Sequence, residues 1–251
     1  MTEPLTWRVL GASVPGTVHI DRGIPCQDAS DWYVDEHLAC IAVADGAGSR
    51  RRSERGSTVA VHAATMLARR LFDPAAQEDH EALIRHLVDG VRNNLIEVAM
   101  ADDADLSEYD TTLAVAVLTG DRLVVAQIGD TIAVVIDGNG CRTLSPPPKF
   151  EYANETTFVT RESYERDIRV SVLPADDISL VVLSTDGMRY KLLKDLATYE
   201  PYEPFFVDVL SYARNPKIES ESIEQFLRTI NDQSGDDKSL AIAARLITPG
   251  N

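Results

Sequence analysis

An α+β layered sandwich built on antiparallel sheets is the fold class this sequence predicts, on three observations. Strand-like runs come first, then two long helical patterns, then strands in quick succession, then helices and a last strand. That order lacks the regular alternation of βαβ units. Strands after Thr111 are separated by Gly120-Asp121, Gly129-Asp130 and Asp137-Gly138-Asn139-Gly140, turn sequences that fold a chain back on itself. A length of 251 residues with 44% hydrophobic and 25% charged content is ample for a large core. No repeat, low-complexity tract or linker divides the chain, so residues 1–251 read as a single domain.

The elements follow in order. Trp7–Ser13 reads as an opening strand, and a loop with Pro15, Gly16, Gly23 and Pro25 delivers Cys26-Gln27-Asp28-Ala29. Trp32–Val34 begins the next strand, which pairs with Leu38–Ala44 across the turn at Asp35-Glu36. A helix over Glu54–Phe72 places Ala60, Ala63, Ala64, Leu67 and Leu71 on one face and ends before Pro74. A second helix spans His80–Met100, and the acidic stretch Ala101–Glu108 reads as a loop. Strands are expected at Thr111–Leu118, Leu123–Ile128 and Thr131–Ile136. A surface excursion runs through Ser145-Pro146-Pro147-Pro148 and Tyr152–Glu155. Thr156–Thr160, Ile168–Leu173 and Ile178–Ser184 read as strands, Pro204–Ala213 and Ser220–Asn231 as helices, and Ser239–Ile247 as the closing strand.

Function is signalled where apolar strands end in acid. Cys40-Ile41-Ala42-Val43-Ala44 is too short for a helix and runs into Asp45-Gly46. Leu180–Ser184 reaches Asp186-Gly187 by the same construction, while Asp236-Asp237 precedes its strand. A carboxylate at a strand end stands at the rim of a sheet, where a ligand can reach it. Oxygen-only donors suit a hard cation, Mg²⁺ or Mn²⁺. Asp-Gly also suits tight turns, and either pair alone is explained that way.

Charge and composition exclude several classes. The formal net charge of −16 repels nucleic acid backbones, so no nucleic acid partner is expected. No apolar run approaches the ~18 residues of a membrane span, and the opening MTEPLTWRVLGAS lacks the pattern of a signal peptide. Cys26, Cys40 and Cys141 have no metal-type spacing and leave one thiol unpaired, as in a reducing, cytoplasmic setting.

An ordered set of motifs carries a family resemblance. Asp28 in CQDA, Asp45-Gly46 in VADGAGS, Thr111-Thr112 in DTTLAVAVL, Gly129-Asp130 in QIGDT, Asp186-Gly187 in LSTDGM and Asp236 in GDDKSLAIA span nearly the whole chain. This series resembles the metal-dependent serine/threonine phosphatases of the protein phosphatase 2C type, in a compact bacterial form. The resemblance implies a four-layer αββα sandwich, two antiparallel sheets flanked by helix pairs, with two or three Mn²⁺ or Mg²⁺ ions at one edge. It implies that Asp45 bridges two ions, that the Gly46 carbonyl binds one, and that Asp186 and Asp236 complete the first ion's shell. Asp28 would hold metal-bound water, and Asp130 would be the acidic residue near a third, weaker ion. Catalysis would rest on Asp28, Asp45, Asp186 and Asp236, and the substrate would be a phosphorylated protein, the target of a Ser/Thr kinase, met by a monomer. Two ions about 3.5–4 Å apart would offset the repulsion between a phosphate monoester dianion and hydroxide, and would lower the pKa of water.

The sequence also departs from that pattern. Gln27 stands where the family has Glu, and Gly23 where it has a phosphate-binding Arg, leaving Arg22 and Arg50 as candidates for phosphate. Ala47 stands where some relatives carry a His proposed as general acid, and Asp110 where Gly commonly precedes Thr-Thr. His19 reads as a loop histidine, and Asp237 as a supporting residue. The alternative is a catalytically weak or inactive relative that binds phosphoproteins on the same scaffold.

Overall fold

The computed structural model describes residues 7–72, 79–146, 156–230 and 234–246. One five-stranded sheet is built from β1 (Trp7–Val14), β6 (Ile132–Asp137), β7 (Gly140–Leu144), β9 (Leu180–Ser184) and β12 (Lys238–Arg245) in the order β1-β12-β9-β6-β7. The other contains β2 (Asp28–Val34), β3 (Ala39–Asp45), β4 (Leu113–Leu118), β5 (Arg122–Ile128) and β8 (Arg169–Pro174) in the order β2-β3-β4-β5-β8. Every neighbouring pair within them is antiparallel. A short ribbon of β10 (Leu193–Asp195) and β11 (Glu200–Pro201) stands apart.

Strand periodicity explains the layering. Side chains alternate between faces, so Ile41 and Val43 of β3 join Ala114 and Ala116 of β4 in a core between the sheets. Their neighbours Cys40, Ala42, Ala44, Val115 and Val117 turn outward and are covered by helices α2 (Ser53–Leu71) and α3 (His80–Ala101). On the far side, Val134, Val182, Leu240 and Ile242 pack under α6 (Glu203–Arg214) and α7 (Ser220–Thr229). Strands buried on both faces read as unbroken apolar runs, as β3 and β4 do. The result is the expected αββα sandwich. Among the described residues no helix is long and apolar enough to cross a membrane.

Several local expectations are corrected. The loop before Cys26 contains α1 (Thr17–Arg22), which buries none of its residues and therefore leaves no amphipathic signal. The acidic loop after α3 includes a 3₁₀ turn at Leu106–Tyr109, where the Asp105 side chain caps the Ser107 N–H. Thr156–Thr160 is not a strand. Its β-branched residues suggested one, but Val159 N–H bonds Thr111 O, Thr157 Oγ1 accepts from Gly129 N–H, and Thr160 Oγ1 donates to Asp110. Short helices α4 (Tyr164–Asp167) and α5 (Arg189–Leu192) fall below the length at which periodicity is legible. The excursion expected from Ser145 to Glu155 lies, beyond Pro146, outside the described residues, as do Asn231 and Ile247 at the expected ends of α7 and β12.

Helix α2 lies unusually close to the turn at Tyr109. A Cβ at Gly56 would collide with the Tyr109 carbonyl oxygen. Alanine gains about 1 kcal/mol over glycine inside a helix, whereas forced overpacking costs about 1–3 kcal/mol. The second effect wins here because the obstacle is backbone. Gly56→Ala is expected to lower the melting temperature by several degrees; an unchanged or higher midpoint in a thermal melt would contradict this packing.

Candidate functional site

The acidic strand ends meet at one edge of the sandwich. Asp45 ends β3, Asp186 opens a 3₁₀ turn after β9, and Asp236 precedes β12. All three line a cavity of about 740 Å³, together with Gly46, Asp130 and Arg50. The cavity straddles the seam between the sheets: Asp45 comes from one sheet, Asp186 and Asp236 flank strands of the other, and Asp130 sits in the crossover from β5 to β6.

Asp28 does not line this cavity. It opens β2 directly opposite Asp45 in register and is buried, its Oδ2 accepting from Thr185 Oγ1 at 2.6 Å. Thr185 Oγ1 also accepts from the Ser239 N–H, so one hydroxyl ties both sheets to this carboxyl. Arg22 is exposed at the end of α1 and is not a cavity residue. Arg50 is. Its Nε lies 2.9 Å from the buried Asp110 Oδ2, and Arg161 Nη2 lies 3.5 Å from the same atom. These are ion-pair distances without the alignment of a hydrogen bond. Arg161 also lines the cavity, which makes it a second cation there that the sequence alone did not single out.

Local backbone geometry fixes Asp45. Its N–H donates to Thr112 Oγ1, and its carbonyl accepts from Thr111 Oγ1 and the Thr112 N–H. The Thr-Thr pair thus pins the turn. Gly46 N–H bonds Gln27 O, and a side chain at Gly46 would run into the carbonyls of Ser53 and Gln27.

Asp237 turns out to organise the N-terminal segment. Almost fully buried, it accepts from the Gly16 N–H at 2.7 Å and the Gln27 N–H at 2.6 Å. His19 Nδ1 stands 2.9 Å from each of its oxygens. His19 is therefore a helix residue at the cavity wall, where a loop histidine was expected. Gln27 lines the cavity as well, and its Oε1 is buried with no hydrogen-bond partner among the described residues.

Like charges crowd here. Burial pushes the Asp28 carboxyl well above the usual carboxylate range; the Thr185 bond opposes this, and the charges of Asp237, Asp236 and Asp186 add to it. Burial likewise raises Asp45, followed by the charges of Asp28, Asp186, Asp130 and Asp236. For Asp186, burial and then Asp130 push the carboxyl up to about 7, although Arg189 Nη2 at 3.2 Å pulls the other way. A divalent cation offsets such repulsion, and an all-oxygen donor set fits Mn²⁺ or Mg²⁺. Among the described residues, no three metal-ligating side chains stand close enough to hold one ion as placed. Gathering Asp45, Asp186 and Asp236 on an ion therefore takes side-chain rotation, at Asp186 away from Arg189.

Comparison with known proteins bears on this site. A family model described as protein phosphatase 2C matches residues 15–228. Serine/threonine-protein phosphatase 3 of Escherichia coli (strain K12) is 30% identical over 251 residues, covering 95% of this chain and 98% of the relative. The crystal structure of serine/threonine phosphatase Stp1 from Staphylococcus aureus superposes with a TM-score of 0.68 at 16% identity, covering 97% of each chain. The catalytic domain of the serine/threonine protein phosphatase PstP, in complex with two manganese ions, gives 0.62 at 17% identity over 97% of this chain and all of that one.

Two outcomes are expected. Asp237→Asn turns an amide N–H₂ toward backbone donors and should lose about 2–4 kcal/mol of stability, since bonds to a charged group are each worth about 1.5–3 kcal/mol. Denaturant titration beside Asp21→Asn, on the exposed face of α1, checks this; equal midpoints would refute it. The second concerns pH. A carboxyl whose folded pKa is raised contributes stability at low pH that is lost as pH rises through the folded value. From 3.8 to about 7 for Asp186, chelator-treated protein should therefore melt lower as pH rises across that window. The gain in melting temperature from added Mn²⁺ should grow over the same range. A gain independent of pH would show that these carboxyls do not meet the ion.

Proposed function

The chain belongs to the protein phosphatase 2C family, and from that premise we propose that it is a metal-dependent phosphatase removing phosphate from phosphoserine and phosphothreonine in proteins. The observation that carries the proposal is the convergence of Asp45, Gly46, Asp186 and Asp236 from two sheets on one cavity. Asp45, Asp186, Asp236 and the Gly46 carbonyl would hold two Mn²⁺ or Mg²⁺ ions, with Asp130 beside a third. Such ions, when bound, supply positive charge for phosphoryl oxygens and make water nucleophilic at neutral pH.

The chain's own groups do the positioning. Asp28, buried directly opposite Asp45 and held by Thr185 on one oxygen, stands behind the cavity wall and would support the attacking water from there. Arg50 and Arg161, which share Asp110 as counter-ion, receive the phosphate from the opposite charge sign to the rest of the cavity. Arginine suits this task because its planar donors match phosphate oxygens. Arg22 has no part in the reading, being outside the cavity. The enzyme would act as a monomeric single domain in the cytoplasm on targets of Ser/Thr kinases.

Hydrolysis of p-nitrophenyl phosphate and a phosphothreonine peptide, with Mn²⁺, Mg²⁺ or chelator, tests the proposal. Wild-type turnover should require metal and fall by about a hundredfold or more in Asp45→Asn and Asp186→Asn. Metal binding by calorimetry without turnover would instead favour a phosphoprotein-binding module.

A further inference from the structure

His19 and Asp237 form an oriented imidazole–carboxylate pair at the cavity wall. Asp237 is almost fully buried and is fixed on β12's approach by the Gly16 and Gln27 backbone N–H groups. It grips Nδ1 of His19 through both oxygens at 2.9 Å. The imidazole itself is mostly buried, and it lines the same cavity as Asp45, Asp186 and Asp236. With Nδ1 committed to Asp237, Nε2 is the ring nitrogen left for the cavity. A carboxylate that fixes one nitrogen sets the ring's orientation and directs the other at a ligand.

Once Asp45, Asp186 and Asp236 hold ions, the reaction proposed above lacks a proton donor. A serine or threonine alkoxide is a poor leaving group, and the residue after Asp45-Gly46 is Ala47, which has no proton to give. The remaining cavity side chains are carboxylates, arginines, hydroxyls, an amide and Phe158. Among the described residues lining it, His19 is the only imidazole. Arginine does not give up its proton at working pH.

Resting on the phosphatase reading, we propose that His19 is the general acid of this enzyme, with Asp237 as its positioning residue. Water oxygen bonds to phosphorus, keeping one proton in the hydrogen phosphate formed and releasing the other to solvent, as the bond from phosphorus to the ester oxygen breaks. That oxygen takes the Nε2 proton of the imidazolium and departs as the serine or threonine hydroxyl. The imidazole is left neutral on Nε2, with Nδ1–H still on Asp237, and recovers a proton from solvent after phosphate leaves.

Leaving-group dependence tests this. p-Nitrophenolate departs without protonation, whereas a threonine alkoxide does not. His19→Asn places an amide N–H near the Nδ1 position and keeps a donor for Asp237, but removes Nε2. His19→Asn should lower kcat on the phosphothreonine peptide by about a hundredfold while changing kcat on p-nitrophenyl phosphate by no more than a few fold. Its Mn²⁺ affinity by calorimetry should match wild type. His19→Gln, which abandons Asp237, should lower thermal stability as well. Equal losses on both substrates, or full activity of His19→Asn on the peptide, would overturn the proposal and leave His19 a structural partner of Asp237. A wild type inactive on both substrates would instead refute the phosphatase reading itself, an outcome distinct from either.

Discussion

Like charges held out of water at one edge of the sandwich are the constraint to which the rest of this molecule answers. Asp28, Asp45 and Asp186 each have their carboxyl raised by burial and by one another's neighbours. Left to itself, such a cluster would open the sheet edge. It is instead restrained from every side: Thr185 bonds Asp28, Thr111 and Thr112 clamp the Asp45 backbone, and Arg189 faces Asp186. Asp237 stitches the first segment of the chain to its last strand. Interactions of this number around buried acids make little sense as fold stabilisation alone, since apolar residues would do that with less desolvation. They hold the backbone and the neighbours of these acids in place at the cavity, while Asp45, Asp186 and Asp236 stand apart as placed.

The layers were legible because burial on both faces writes itself into β3, β4, β9 and β12 as continuous apolar runs, and because α2 and α3 are long enough to show a period. Asp45 and Asp186 were legible for a related reason, since an abrupt change from apolar to acidic marks a strand end, and Asp236 from its place just before β12. What escaped was whatever depends on contact between distant segments. Nothing around Asp237 in the sequence says that it will receive Gly16, His19 and Gln27, which lie more than two hundred residues away. Arg161 was hidden in the same way, because its place beside Arg50 is set by Asp110. Arg22 became a candidate by standing one residue from Gly23, where the resemblance implies a phosphate-binding Arg, but it is exposed at the end of α1 and does not line the cavity. The β-branched run at Thr156–Thr160 imitated a strand, although its hydroxyls are spent on capping Gly129 and Asp110.

The position of the cavity on the seam has a consequence for the core beneath it. The interior between the sheets is rich in alanine, with Ala39, Ala114, Ala116, Ala133, Ala241 and Ala243 all buried there. Small side chains let the two sheets approach closely, and that separation is the caliper that sets how far Asp45 stands from Asp186 and Asp236. The sandwich's thickness is therefore a tuning parameter of the chemistry at its rim. A methylene added deep between the sheets would be read out at the edge as a change in the spacing of Asp45 from Asp186 and Asp236, so the shape of the cavity depends on residues that do not line it.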